Sequence, residues 1–238
     1  MAPEVLHADI AAYAGHRILE AMRYAPRYTE AIYSQARAAC PTAMGPILDF
    51  GAGDGALAER FRRDGFELEC VEPDAANQAA LHGMGLPVFA DIESRDSNRY
   101  QFAYSINVLE HLCDIDHYLD ELHRVLRPGG RLFVFVPAFD ILWTSVDDEV
   151  GHVQRFRRGS LRAHLAHAGF EVRSTQYFDS AGFPAALAVR LLERMQLFQY
   201  SNRSVGFYDR FVLPLSLAGD RMLRRIAGKN VVGLAVKP

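Results

Sequence analysis

Between residues 47 and 137, short apolar runs alternate with amphipathic stretches, and no other feature of the sequence restricts the fold as much. ILDF (47–50) has the pattern of a buried strand, residues 54–64 that of a helix ending at Asp64-Gly65, and FELECVE that of a second strand. Residues 74–82 read as a helix closed by Gly83, PVFAD as a strand followed by the polar loop SRDSNRY, and QFAYSIN as a fourth strand. Ile115, Leu119, Leu122, Val125 and Leu126 share one helical face, and Pro-Gly-Gly at 128–130 is expected to stop that helix. RLFVFVP is almost continuously apolar, as in a central strand covered on both faces. SLRAHLAHAGF predicts a helix with Ser160 near its N-cap and Gly169 past its end; EVRSTQYF and VVGLAVK predict the last strands. Alternation of this kind implies a doubly wound α/β sheet.

Three segments stand outside the alternation. Residues 8–39 predict one or two helices broken near Pro26, before a CPTAMGP loop. Residues 138–158 form a long polar and aromatic connection, and residues 179–230 a large insertion before the last strand. Long connections in compact domains tend to be functional or disordered, and these hold too many large apolar residues for disorder. Both are expected to form walls and a lid over a pocket. The 238 residues suit one domain: helical segment 1–45, core 46–178, cap 179–230 and last strand 231–238. Half the residues are hydrophobic, enough for a sizeable core. Cys40, Cys70 and Cys113 lie far apart with no C-x-x-C, so neither structural disulfides nor a metal site is expected. The first residues lack a signal-peptide pattern and no apolar run approaches a membrane span, so a cytoplasmic protein is expected.

Gly51-x-Gly53-x-x-Ala56, with Glu72 downstream, formally fits the dinucleotide-binding pattern. A pyrophosphate, however, needs the bare positive end of the following helix. Asp49 before the turn and Asp54 within it put two carboxylates where that charge would lie. A cation-bearing nucleoside without phosphate suits them better, and S-adenosylmethionine is such a molecule. The chain resembles the class I S-adenosylmethionine-dependent methyltransferases, in their small-molecule branch. LDFGAGDG resembles that family's first motif; VEPD (71–74), FADIE (89–93), SINVLEHL (105–112) and LHRVLRPGGRLFVFVP (122–137) are similar to its later ones in order and spacing.

The resemblance implies a seven-stranded, mostly parallel Rossmann-like sheet with an antiparallel last strand at VVGLAVK. It implies S-adenosylmethionine as cofactor and S-adenosylhomocysteine as product. Glu72, followed by Pro73, would accept from the ribose hydroxyls, and Gly51 and Gly53 would let the backbone approach the cofactor. Asp49 would favour its ammonium and sulfonium side. Asp91 would accept from the adenine amino group or cap a short turn, Ile92 would lie on the ring, and Asn107 would meet the methionine portion. A proton-bearing acceptor would need a base, and His152 with Asp147 orienting it, or His111, are the candidates. Trp143, Phe139 and Phe156 either wall the pocket or pack the 138–158 connection.

The implied reaction is methyl transfer to an oxygen, nitrogen or carbon of a small, apolar or lipid-like metabolite. A nicotinamide-dependent oxidoreductase and a non-catalytic cofactor-binding protein are the alternatives. RFRR (155–158) raises nucleic acid as a substrate, but it is short and the net charge is −3. From residue 183 onward the local charge is +6, among apolar stripes. That segment reads as a substrate lid, a peripheral membrane surface or a homodimer interface.

Overall fold

The computed structural model describes residues 15–41 and 45–238. The expected helix start at residue 8 and the centre of the CPTAMGP loop lie outside the described residues. Two helices, α1 (His16–Met22) and α2 (Pro26–Ala39), break at Pro26, as the sequence predicts. Then come β1 (Ile47–Phe50), α3 (Ala56–Arg63), β2 (Leu68–Val71), α4 (Ala75–Gly83), β3 (Val88–Phe89) and β4 (Tyr100–Ile106). They are followed by α5 (Ile115–Val125), β5 (Leu126–Pro137), α6 (Ser145–Val150), α7 (Arg158–His167) and β6 (Glu171–Phe178). Helices α8 (Gly182–Arg194), α9 (Asn202–Phe207) and α10 (Leu213–Leu223) form the cap, with a π turn over Tyr208–Val212, before β7 (Asn230–Val236).

The strands form one sheet in the order β3-β2-β1-β4-β5-β7-β6, with β7 antiparallel to both neighbours and the remaining pairs parallel. The seven-stranded, mostly parallel sheet with an antiparallel last strand is therefore as expected. Neighbouring residues along each strand feed opposite cores. Leu48, Ala103, Leu132 and Val134 pack with Leu119 and Leu122 of α5 and Leu161 and Leu165 of α7. Ile47, Phe102, Phe133 and Phe135 pack with Ile32 and Ala36 of α2 and Phe61 of α3. Chain order reverses between β1 and β4, so the connections leaving their carboxyl ends part and open a crevice.

One local expectation needs correction. Pro-Gly-Gly is not what stops α5: the helix ends at Val125 and β5 starts at Leu126. The glycines sit in an irregularity where the β4 partner jumps from Leu126 to Arg131, and Gly129 and Gly130 bond to the backbone of Lys237. Ser160 lies near the N-cap of α7, as expected: Arg157 is the cap, and Ser160 Oγ accepts from its N–H at 2.9 Å. The 138–158 connection contains α6.

The cap is tied to the sheet by acids that complete backbone hydrogen bonding. Helix α2 has no cap of its own at Ala25, and Asp209 supplies the acceptors, taking the Tyr28 N–H at 2.8 Å and the Arg27 N–H at 3.3 Å. Asp220 takes the N–H groups of Asp179 and Ser180 at 2.9 and 2.8 Å. Asp179, fully buried, accepts in turn from Gly182 N–H and from the hydroxyls of Ser216 and Tyr208. Among the described residues no helix is long and apolar enough to cross a membrane. Asp209→Ala removes the acceptors for α2 and is expected to cost about 1–2 kcal/mol in denaturant unfolding, with Asp209→Asn costing less; an unchanged midpoint would show that α2 is capped by other means.

Candidate functional site

A cavity of about 950 Å³ opens where the carboxyl ends of β1, β2 and β4 meet the two N-terminal helices and the cap. Its walls include Leu19 and Met22 of α1, Ile32 of α2, and Ala186 and Val189 of α8. The 138–158 connection and the insertion both contribute to the walls, as their apolar content suggested, and the N-terminal helices join them.

The glycine turn follows β1. Gly51 and Gly53 adopt φ of +80° and +55°, the left-handed region that glycine enters without a Cβ penalty. A Cβ on Gly51 would lie 2.3 Å from Val108 Cγ2, so the turn requires glycine for packing as well. The buried Glu72, past the end of β2, pins this turn: one carboxylate oxygen accepts the Gly53 N–H at 2.7 Å and the other the Asp74 N–H at 2.9 Å. A loop amide that could hold a pyrophosphate is thus committed to a carboxylate. Burial raises the Glu72 pKa, against the lowering effect of those backbone donors.

Asp49 is buried within β1, its Oδ2 accepting from Tyr104 Oη at 2.8 Å. Burial pushes its pKa up to about 7, the Tyr104 hydrogen bond works against the rise, and the Glu72 charge adds to it. This half of the cavity also receives Pro73, Asp91, Ile92 and Asn107. Asp91 does cap a turn, taking the Ser94 N–H at 2.8 Å on Oδ1. Ile92 is almost fully buried, and Asn107 leaves β4 with φ of +53°.

The other predicted group meets on the same cavity. His152 Nδ1 lies 2.7 Å from Asp147 Oδ1, and Arg155 contacts both Asp147 oxygens at 2.8 Å. These contacts overcome the raising effect of burial and hold the Asp147 carboxyl well below the usual carboxylate range. Asp147 also accepts the Thr144 N–H at 2.7 Å, so the residue that orients the imidazole is itself fixed by the start of α6. The His111 ring centroid lies 4.7 Å from that of His152, and burial pushes its pKa down to about 4, helped by the neighbouring His152.

Glu110 was not among the candidates. It is fully buried, lines the cavity 3.7 Å from His152 Nε2, and neither carboxylate oxygen has a hydrogen-bond partner. Burial pushes its pKa up to about 8. The available signal was an acid directly beside His111, at the exit of a predicted strand. Lys229 also reaches the cavity from just before β7, 3.6 Å from Asp179.

Trp143, Phe139 and Phe156 pack the connection. Phe156 is in the core, Phe139 stacks on Tyr177 at 4.8 Å, and Trp143 Nε1 donates to Asp148 at 2.9 Å. The RFRR arginines are structural: Arg155 holds Asp147, Arg157 lies over Phe139, and Arg158 donates to the Thr175 carbonyl at 2.8 Å.

The sequence pattern of a family described as "Methyltransferase domain" matches residues 20–175. A ubiquinone biosynthesis O-methyltransferase of Nitrobacter winogradskyi is 34% identical over 94 residues, 36% of this chain and 36% of the relative. One from Bradyrhizobium sp. is 35% identical over 96 residues, 37% and 38% of the two chains. The match thus spans little more than a third of these relatives. A SAM-dependent methyltransferase from Archaeoglobus fulgidus shares the fold with a TM-score of 0.63 at 16% identity, over 93% of this chain and 100% of that one. A geranyl diphosphate C-methyltransferase from Streptomyces coelicolor does so with a TM-score of 0.61 at 14% identity, over 88% and 79%. With two thirds of its length inside the family pattern and the sheet order built around the glycine turn, the chain belongs to the methyltransferase-domain family.

Proposed function

We propose that the protein transfers the methyl group of S-adenosylmethionine to a hydroxyl oxygen of a small acceptor with an apolar body. The observation that carries the reading is the continuity of one cavity, from the acid-bracketed glycine turn to the imidazole–carboxylate cluster. The names of the curated relatives favour oxygen as the nucleophile. Glu72 would receive the ribose hydroxyls on its remaining lone pairs, Asp91 and Ile92 the adenine, and Asn107 the methionine portion. Asp49 would face the ammonium and sulfonium side.

At the other end, His152 donates Nδ1–H to Asp147, which leaves Nε2 to take the acceptor proton. The oxygen lone pair then forms the bond to the methyl carbon while the C–S pair returns to sulfur, giving S-adenosylhomocysteine. The sulfonium is already an activated donor, so the main contribution of the protein is alignment, worth up to ~10 kcal/mol in favourable cases.

The exposed cap supports a second assignment. Leu191, Met195, Leu197, Phe207, Met222 and Ile226 are exposed there, interleaved with Arg190, Arg194, Arg221, Arg224 and Arg225. Apolar side chains among arginines complement an anionic bilayer surface, from which a lipid-like acceptor would enter beneath α8. Sedimentation with vesicles containing anionic lipid is expected to carry the protein down, and zwitterionic vesicles to leave it in solution. Concentration-dependent dimerisation without vesicle binding would assign the face to a second copy.

Methyl transfer predicts a distinct pH signature. Asp49 is largely protonated below about pH 7, and a cation beside it favours the carboxylate. S-adenosylmethionine binding should therefore release protons near pH 6 and tighten as pH rises towards 7, up to tenfold per unit, then level off. Calorimetry in buffers of different ionisation enthalpy would measure the release, and Asp49→Asn should abolish it; release that persists in the variant would assign it to another group.

Two substitutions separate binding from chemistry. Glu72→Ala is expected to weaken S-adenosylhomocysteine by about 1–3 kcal/mol, through loss of ribose contacts and of the pinned turn. His152→Ala should lower kcat by roughly 10²-fold or more at nearly unchanged cofactor affinity. If labelled methyl transfer from extracts never exceeds that of a Gly53→Arg control, the protein holds the cofactor without using it.

A further inference from the structure

We infer that Glu110, His111 and His152 together form a binding site for one divalent transition-metal ion at the acceptor end of the cavity. Their ligand atoms all lie within 4.8 Å of one another, and all three residues line the cavity. Closing on an ion at the usual 2.0–2.2 Å bond lengths requires about an ångström of side-chain movement.

Three features point to a cation rather than to a hydrogen-bond cluster. Glu110 is fully buried with both oxygens unpartnered, so its ionised form calls for a positive group beside it. His152 has Nδ1 held by Asp147, the carboxylate–histidine arrangement that fixes the tautomer and turns Nε2 towards a metal. His111 is hydrogen-bonded to the backbone at Val150 and Gly151. Each imidazole therefore comes with an outer partner, and the carboxylate comes with none.

Two imidazoles and one carboxylate suit zinc, manganese or iron in the divalent state, whereas magnesium prefers an all-oxygen shell. Three protein ligands leave at least one coordination position, and it would face the cavity. This rests on the proposed methyl transfer and replaces its base: with the ion bound, His152 Nε2 is a ligand, and the ion would instead acidify an acceptor hydroxyl in that position, whose proton would pass to solvent.

The test uses the full chain after dialysis against EDTA, titrated calorimetrically with Zn²⁺ and with Mn²⁺ and melted with and without each ion. One equivalent is expected to bind and raise Tm. Glu110→Gln, which preserves shape, and His152→Ala should each weaken binding by at least tenfold. Absence of binding below millimolar concentration, or equal binding by wild type and both variants, would overturn the site. S-adenosylhomocysteine binding is measured on the same samples: if it is retained without metal binding, only the metal site falls. Metal binding without S-adenosylhomocysteine binding supports the site and overturns the methyl-transfer reading instead.

Discussion

The contact between the Glu72 carboxylate and the turn after β1 organises everything that follows from this fold. One side chain at the end of β2 takes amide protons from Gly53 and from Asp74 and so joins the first two strand exits into a single rigid edge. The glycines make the approach geometrically possible, since Gly51 has Val108 where a Cβ would stand. The same contact makes this edge a poor place for a diphosphate, because the loop amide already faces an anion and Asp49 lies just behind it. A nucleoside that offers hydroxyls to Glu72 and positive charge to Asp49 meets the edge without conflict.

A second rigid unit lies across the cavity. Asp147 begins α6, anchors Arg155 and orients His152, so the imidazole is positioned by the fold of the 138–158 connection rather than by a flexible loop. The cap is held in place by a third set of acids, Asp179, Asp209 and Asp220, which complete the hydrogen bonding of α2 and of the β6 exit. The cavity is thus lined by three separately braced pieces, while the outer face of the cap remains apolar and basic.

Much of the strand–helix alternation was legible because strands β1, β4 and β5 are largely buried on both faces and so are rich in apolar residues. The glycine turn and Glu72 were legible because their chemistry is local: glycine for left-handed backbone, an acid at a strand end. The departures arose where long-range context decides. The Pro-Gly-Gly that reads as a helix stop becomes part of β5 because Lys237, over a hundred residues away, pairs with it. Glu110 was passed over because its burial depends on distant packing: the chain at Val153 donates to its backbone carbonyl from more than forty residues away. Asp209 and Asp220 entered only as charges to be counted, and nothing in their neighbourhood announces the distant amides they satisfy.

The central claim is that the acid-bracketed turn selects a cation-bearing nucleoside over a dinucleotide. Calorimetric titration of the same protein with S-adenosylmethionine, S-adenosylhomocysteine and NADH tests it directly. The account predicts micromolar or tighter binding of the first two and no heat from NADH at millimolar concentration. Comparable binding of NADH, competed away by S-adenosylhomocysteine, would contradict it.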